Sequence, residues 1–154
     1  MSDSVVEVSG LAIKREKRRP LELVNEVCIT ELDGIADDCR GAGGPERARQ
    51  ITLISLDQWN TACNQVGISF PWHLRRANIC LDSMAFSASD LGRRVRLGHE
   101  VILEITGETE PCKRMDQIYP GLRAALTPDW RGGVTCRVIR SGFVRLGNLF
   151  EFVD

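Results

Sequence analysis

The sequence predicts a mainly β protein, a small barrel with a few short helices. About eight short segments rich in β-forming residues are separated by turn residues such as glycine and proline. Only two stretches carry apolar residues at helical spacing. A length of 154 residues suits one domain with its own core, so we expect a single domain over residues 1–154.

The composition is that of an ordinary soluble globular protein. Hydrophobic residues make up 43% of the chain, charged residues 27%, and the net charge is −1. This balance gives no overall field to attract nucleic acid or a membrane. The apolar runs are shorter than the roughly 20 residues that cross a bilayer. Residues 1–7 lack the apolar region of a signal peptide, so we expect a cytoplasmic protein without a membrane partner.

The cysteine pattern indicates reduced thiols. None of the cysteines forms a C-x-x-C pair, and the only histidines, His73 and His99, give no zinc-ligand spacing. Most of the cysteines lie in apolar segments, as reduced core thiols do. The six are Cys28, Cys39, Cys63, Cys80, Cys112 and Cys136.

The first elements are two strands joined by a basic loop. Residues Val5 to Ile13 and Leu21 to Thr30 are rich in β-forming residues. Between them, Lys14 to Pro20 reads KREKRRP. Such a charge run is either a solvated hairpin tip or a grip for an anion, a ligand phosphate or a nucleic-acid backbone.

The stretch from Gly34 to Gln50, GIADDCRGAGGPERARQ, has no regular period. It lacks the G-K-[ST] of a phosphate-binding P-loop. Long irregular loops inside a compact domain are usually functional or disordered, so both a flexible surface loop and a binding loop remain open. Its glycines permit close approach of a ligand, and its charged residues are Asp37, Asp38, Arg40, Glu46, Arg47 and Arg49.

A buried strand and a helix follow. Residues Gln50 to Ile54 form the strand, and Ser55 with Gln58 three residues later predicts a capping box at the start of a helix that ends at Gly67. The helix presents one apolar face, which we interpret as core: Leu56, Trp59, Cys63 and Val66.

Two adjacent arginines precede the next strand. Arg75 and Arg76 come just before Asn78, which opens a strand over Ile79 to Leu81. Paired guanidinium groups beside an amide suit recognition of a phosphate or of a heterocycle edge. The alternative is that an arginine forms a salt bridge within a loop.

The remaining elements are strands and one interrupted helix. Strands are predicted over residues 93–97 and 100–106, and the segments 134–140 and 143–146 are predicted to pair as a hairpin across Ser141 and Gly142. Residues 149–153 form the last strand. The helix runs from Met115 to Leu126 with a pause at Pro120.

Cys112 lies at the corner between a strand and this helix, in the sequence GETEPCKRMD of residues 107–116. Pro111 turns the chain just before the sulfur, and Lys113 and Arg114 follow it. The thiolate is the nucleophile and the metal ligand, and neighbouring cations favour it. A lone cysteine can also be a small buried hydrophobe, so both interpretations remain open here.

Five motifs in order resemble the MOSC domain, found at the C-terminus of molybdenum cofactor sulfurases. They are GI-x₂-D-x-R with GG and RQITLIS, then L-R-R-x-N, R-L-G, E-x-P-C-x-R-M and R-G-G-V. The resemblance runs from about Gly34 onward and is to the small bacterial stand-alone members. It implies a mainly antiparallel β-barrel like the barrel domain of pyruvate kinase.

The resemblance also implies a molybdenum–pterin cofactor, with Cys112 as metal ligand or sulfur carrier. Soft thiolates suit soft metal–sulfur centres. By the same resemblance Arg76 would hold the cofactor phosphate, and Asn78, Arg40, Thr52 and Arg114 are further candidates for cofactor binding. Pyridoxal phosphate belongs to a separate domain of the family's larger members, so none is expected in this chain.

Three functions follow as hypotheses. The first is reduction of N-hydroxylated small molecules with an external electron donor, as in related eukaryotic enzymes. The second is a persulfide carrier on Cys112, loaded by a sulfur-donor protein. The third is a nucleic-acid-binding barrel, which the near-neutral charge and an aromatic content of only 6% disfavour.

Overall fold

Eleven strands and three short α-helices make up the fold in a computed structural model that describes residues 5–40, 44 and 47–153. The strands are β1 (Val6–Ile13), β2 (Glu22–Val24), β3 (Glu26–Thr30), β4 (Gly34–Ile35), β5 (Ile51–Ser55), β6 (Ile79–Leu81), β7 (Arg94–Leu97), β8 (Val101–Glu108), β9 (Val134–Arg140), β10 (Gly142–Arg145) and β11 (Leu149–Phe152). The helices are α1 (Leu56–Gln65), α2 (Lys113–Ile118) and α3 (Leu122–Leu126), and 3-10 turns lie at Trp72–Arg75, Ala88–Asp90 and Pro128–Trp130.

Strands β1, β11, β7, β8, β9, β5 and β6 form a closed barrel. Closure comes from β1, which pairs with β6 and also with β11, where Val6 lies opposite Phe150. A closed barrel leaves no long sheet edge unpaired. Strand β2 extends β1, and β10, β3 and β4 form a separate small sheet. The predicted mainly β barrel is confirmed.

One pairing in the barrel is parallel. Strands β5 and β6 run in the same direction, with Leu53 opposite Ile79 and Ile54 opposite Cys80. Parallel neighbours need a long crossover, and helix α1 supplies it. Every other pairing around the barrel is antiparallel.

The hydrophobic core has two parts. One part fills the barrel with aliphatic side chains, for example Leu11, Leu53 and Leu103. The other lies between the outer face of β5 and β6 and the three helices, where Trp59 and Met115 are at most 1% exposed. This second cluster holds α2 against the barrel and so fixes the position of the Cys112 corner.

The cysteines are unpaired, as the sequence predicts. All six are free, and Cys63, Cys80 and Cys136 are buried in the core. Burial raises the pKa of the Cys80 thiol to about 11 and also raises the pKa of Cys136, so these thiols stay protonated at neutral pH.

The predicted hairpin between residues 134–140 and 143–146 is wrong. Strand β9 pairs with β8 along residues 134–140 and with β5 at residues 134–136. Strand β10 pairs instead with β3, placing Phe143 opposite Cys28. The chain after β9 therefore leaves the barrel sheet and joins the separate small sheet.

The predicted capping box at Ser55 is also wrong. The Ser55 hydroxyl accepts a hydrogen bond from the Met84 backbone N–H at 3.0 Å instead of capping α1. The Gln58 amide donates to the carbonyls of Phe86 and Asp129. Both side chains are therefore engaged by tertiary contacts. The single strand predicted over residues 21–30 is divided in two at Asn25.

The basic loop Lys14 to Pro20 is the tip of the hairpin formed by β1 and β2. Residues 15–20 of this tip are exposed, whereas Lys14 is only 9% exposed. In the described part of the chain, no helix is both long and apolar enough to span a membrane.

Candidate functional site

Cys112 lies in an exposed position four residues after the end of β8 and immediately before α2. Its backbone is extended, with φ −115° and ψ 178°, and its carbonyl accepts the Met115 N–H at 3.0 Å. The Met115 side chain is buried in the second part of the core, between the barrel and the helices. The prediction of a strand-to-helix corner at this cysteine is confirmed, and the thiol faces solvent instead of serving as a core hydrophobe.

A pocket of about 250 Å³ opens beside Cys112. Its walls are predominantly cationic, because five arginines and only one carboxylate, that of Glu110, are among the described residues that line it. The arginines are Arg40, Arg49, Arg75, Arg76 and Arg114. A second pocket of about 230 Å³ shares part of this wall, including Thr52. Such a concentration of guanidinium groups in concave walls is suited to binding an anionic ligand.

The buried carboxylate of Asp38 organises one side of the pocket. It accepts hydrogen bonds from the Arg40 side chain at 3.0 and 2.8 Å and from the Lys14 backbone N–H at 2.9 Å. Burial alone would raise the pKa of Asp38, but these hydrogen bonds and the Arg40 charge outweigh it and lower the pKa. Asp38 is therefore ionised at neutral pH and holds Arg40 in one orientation.

Asn78 and Thr52 connect this carboxylate to the barrel. The Asn78 amide donates to Asp38 at 3.0 Å, and its oxygen accepts from the Thr52 N–H at 3.0 Å and from the Thr52 hydroxyl at 3.2 Å. The Thr52 hydroxyl in turn accepts the Asn78 N–H at 3.1 Å. Both residues are more than nine-tenths buried. Their polar groups position the pocket wall by bridging β5 to the irregular loop.

Arg75 connects the opposite side of the pocket. Its guanidinium donates to the carbonyls of Gly132 at 3.1 Å and Thr109 at 2.9 Å. Burial lowers the pKa of Arg75 to about 10, while the neighbouring Cys112 opposes that shift, so the side chain remains charged at neutral pH. Arg75 thus ties the loop before Cys112 to the loop before β9.

Gly132 is required at this contact. A Cβ atom on it would lie 2.4 Å from the Thr109 carbonyl oxygen and 3.1 Å from an Arg75 nitrogen. Only glycine admits the backbone approach that both hydrogen bonds need. The Thr109 hydroxyl oxygen is buried and has no hydrogen-bond partner among the described residues. An unsatisfied buried polar atom in a pocket wall is a contact that a ligand can use.

Arg76 lies where the cavities meet. Its backbone is left-handed, with φ 71° and ψ 22°, which is uncommon for a residue with a side chain. It lines both pockets and also a groove running towards the basic hairpin tip. No carboxylate among the described residues pairs with its guanidinium. Burial, and then the charges of Arg114 and Arg40, lower the pKa of Arg76.

The structure brings the residues predicted from the sequence to one place. Cys112, Arg40, Thr52, Arg76 and Arg114 line the pocket beside the cysteine, and Asn78 lines the adjoining one. The candidate cofactor-binding residues did not include Arg49, Thr109 or Gly132, and Arg75 was a candidate only as one of the two arginines before Asn78. Their signals were present in the sequence, since Arg75 precedes Arg76, Thr109 lies three residues before Cys112, and Gly132 belongs to R-G-G-V.

The site offers one soft metal ligand. Within the described ranges, no group of three or more histidine, cysteine, aspartate or glutamate side chains could hold a metal ion. A metal at Cys112 would therefore need most of its ligands from a cofactor. A single thiol beside a cationic pocket fits a metal carried by an anionic organic group.

Comparison with known proteins decides the family. The sequence model of the MOSC domain matches residues 39–151. The chain belongs to the MOSC domain family. The match includes Cys112 and the arginine-lined pocket, and it confirms the resemblance seen in the sequence motifs. A search of curated proteins found no match to this chain.

Several solved structures share the fold. The YuaD protein from Bacillus subtilis aligns with a TM-score of 0.78 at 21% identity, covering 96% of this chain and 94% of that one. YiiM from Geobacillus stearothermophilus aligns with a TM-score of 0.71 at 15% identity, covering 97% and 75%. YiiM from Escherichia coli gives 0.70 at 17% identity, covering 97% and 68%. These similarities establish the barrel.

Proposed function

We propose that this MOSC protein binds a molybdenum–pterin cofactor in the arginine-lined pocket, with Cys112 as a metal ligand, and reduces N-hydroxylated small molecules. The electrons would come from an external donor protein. The observation that carries the proposal is the exposed thiol of Cys112 at the edge of a pocket walled by five arginines. One soft ligand and many anion-binding groups are what such a cofactor requires.

The residues present fit this cofactor. The Cys112 thiolate would bind the metal, and Arg76 and Arg114, which have no carboxylate partners among the described residues, would hold the phosphate. The buried Thr109 hydroxyl has no partner in the part of the chain that the structure describes, and it would donate to an oxygen or nitrogen of the ligand. Arg40 and Asn78 would act mainly by positioning, since their polar groups are engaged with Asp38.

The proposed reaction balances as R–NH–OH plus two electrons and two protons giving R–NH₂ and water. The N–O bond breaks, the oxygen leaves as water, and the donor protein is oxidised. The bound cofactor would supply the two-electron redox chemistry. The protein's own groups would bind and orient the reactants: the arginines neutralise anionic charge, and the open side of the pocket admits the substrate.

The test is molybdenum and pterin analysis of the protein expressed with molybdate, comparing the wild type with Cys112→Ser and Cys39→Ser. Cys39 is the matched control because it is also exposed but lines neither pocket beside Cys112. Molybdenum bound stoichiometrically by the wild type and Cys39→Ser, and lost from Cys112→Ser, is the expected result. Equal molybdenum in all three proteins would contradict a metal ligand at Cys112.

A second candidate is a persulfide carrier on the same cysteine. It is favoured by the exposure of Cys112, since sulfur transfer between proteins requires a thiol that a donor can reach. Mass spectrometry after incubation with a cysteine-desulfurase-type donor should then show one added sulfur atom. The added atom should be absent from Cys112→Ser and present in Cys39→Ser.

A further inference from the structure

We propose that the groove beside the Cys112 pocket is the substrate site, and that it selects small organic anions with an apolar body. This inference rests on the proposed function and adds the class of substrate. The groove has a volume of about 720 Å³ and lies between the basic hairpin tip, the turn at His73 and Leu74, and helix α2. Ligand sites commonly have volumes of roughly 300–1,000 Å³.

The groove is continuous with the pocket at Cys112. Arg76, Arg114 and Met115 line both cavities. A molecule in the groove therefore lies next to whatever occupies the pocket. This continuity is the geometry expected of a substrate channel that ends at a reactive group.

The groove collects cations that have no carboxylate partners. Lys14, Lys17, Arg18, Arg76 and Arg114 line it, and no ion pair involves them within the described chain. No aspartate or glutamate is among the described residues that line it. The chain as a whole has 20 basic and 21 acidic residues, so this imbalance is local.

Two basic residues of the hairpin tip, one outside the groove and one lining it, do have carboxylate partners. Arg15, which does not line the groove, contacts Glu22 at 3.0 Å. Arg19 lines it at the rim and contacts Glu16 at 3.2 Å. The hairpin tip therefore has carboxylates available, yet its groove-facing lysines and Arg18 have none. An anion from outside would complete their charge balance.

Lys14 is the least exposed of the basic residues that line the groove. It is 9% exposed, and its ammonium group has no hydrogen-bonding partner in the described structure. Burial lowers the pKa of Lys14 most, and the charges of Arg76, Arg40 and Arg114 lower it further, while Cys39 acts in the opposite direction. A bound anion would relieve this repulsion, so the site is electrostatically incomplete without one.

The other walls are apolar. Leu21, Leu74 and Ile118 are partly buried, and Met115 is buried beneath them. Apolar surface of this kind favours the body of an organic molecule, since its removal from water contributes about 25 cal/mol per Å². Charge and apolar surface together indicate an amphipathic anion instead of a bare inorganic ion.

The shape favours a small molecule over an acidic protein. Lys14 lines the groove but is only 9% exposed, so little of it is within reach of the surface of a folded protein. A carboxylate on a small aromatic or aliphatic body can reach it. We therefore assign the groove to a carboxylate- or phosphate-bearing substrate.

The experiment measures binding of two matched probes to the purified full chain by calorimetry. The probes are benzamidoxime, which is neutral, and 4-carboxybenzamidoxime, which adds one carboxylate. The expected result is that the carboxylate probe binds at least about tenfold more tightly at low salt and loses this advantage as salt rises. Equal affinities for the two probes would overturn the proposal.

Reversing the charge of two groove-lining residues tests whether the preference for the carboxylate probe arises in the groove. In Lys17→Glu/Arg18→Glu, the carboxylate probe should lose about tenfold in affinity while the neutral probe is unchanged. The matched control is Arg140→Glu/Arg145→Glu, which reverses two exposed charges that line none of these cavities and should leave both probes unchanged. An equal loss in both double variants would overturn the assignment to the groove.

A third probe separates a small ligand from an acidic protein. Binding of a decaglutamate peptide without binding of the carboxylate probe would overturn the proposal and point to a protein partner. Molybdenum content of the same preparations reports on the proposed function independently. A molybdenum-free protein that still prefers the carboxylate probe would contradict the proposed function while supporting the anion site.

Discussion

The Arg40 guanidinium donates a 2.8 Å hydrogen bond to the main-chain carbonyl of Arg76. The same guanidinium is held by the buried carboxylate of Asp38. A buried charge therefore orients one arginine, and that arginine holds the left-handed backbone of a second arginine at the junction of the cavities. Asp38 and Arg40 are positioning residues for Arg76.

The first prediction concerns the loss of Arg40. Arg40→Ala should lower the free energy of unfolding by about 2–3 kcal/mol, because it removes charge-assisted hydrogen bonds and leaves a buried carboxylate poorly compensated. Urea unfolding at neutral pH measures the change. Placing Arg40→Ala in an Asp38→Asn background should reduce this cost. The same cost in both backgrounds would show that the pair is not coupled.

The second prediction is a pH dependence. The pKa of Asp38 is lowered in the folded protein, so its ionised form stabilises the fold at pH values above the unfolded pKa of about 3.9. That stabilisation is lost as the pH falls through the folded pKa. The difference in unfolding free energy between wild type and Asp38→Asn should be largest near pH 7 and shrink below about pH 4. A difference independent of pH would contradict this.

The third prediction separates the backbone of Arg76 from its charge. Arg76→Gly should be more stable than Arg76→Ala by about 1 kcal/mol, since only glycine adopts the left-handed region without strain. Both variants should lose molybdenum to the same extent, because both lack the guanidinium. Urea unfolding and metal analysis give the two readouts. If Arg76→Gly is the less stable variant, the left-handed backbone is not a source of strain.

The fourth prediction concerns the close approach at Gly132. Gly132→Ala should destabilise the protein by about 1–3 kcal/mol, because the new Cβ meets the Thr109 carbonyl. Gly107→Ala is the control, since a Cβ there lies 3.4 Å from the Thr135 hydroxyl, an ordinary contact. Thermal unfolding compares them. Equal effects of the two substitutions would contradict a special requirement at Gly132.

The fifth prediction concerns thiol reactivity. Under native conditions a disulfide reagent should modify Cys39 and Cys112 rapidly, since both are exposed. The buried thiols Cys63, Cys80 and Cys136 should react only on unfolding. Peptide mapping after brief labelling identifies the sites. Rapid modification of the buried cysteines would contradict the core described above.

Much of the fold was predictable because the strands are local patterns. The runs at β5 and β8 and the turn residues between segments indicate strands without reference to the rest of the chain. The pairing partners of those strands were not predictable from local sequence patterns. The hairpin predicted for β9 and β10 has a suitable turn at Gly142, but β9 pairs with β8 and β5, and β10 pairs with β3. Pairing depends on closure, which is a property of the whole barrel.

The candidate site, too, has features that were predictable from the sequence and features that were not. The position of Cys112 between a strand and a helix follows from its neighbours in sequence, including Pro111. The role of Asn78 does not, because its amide is engaged by Asp38, 40 residues away along the chain. Arg75 adjoins Arg76 in sequence, yet the Arg75 guanidinium donates to backbone carbonyls, whereas that of Arg76 has no carboxylate partner among the described residues.

The sequence by itself determined the family, the β-barrel and the cysteine around which the site is built. These follow from short-range patterns and from motifs in a fixed order. Only the tertiary structure decided that Lys14 and the basic hairpin tip lie beside Arg76 and Arg114. Residues about 100 positions apart meet because the hairpin and helix α2 border the same groove. No local sequence pattern specifies that these residues lie close together, since their proximity results from how the closed barrel packs against its helices.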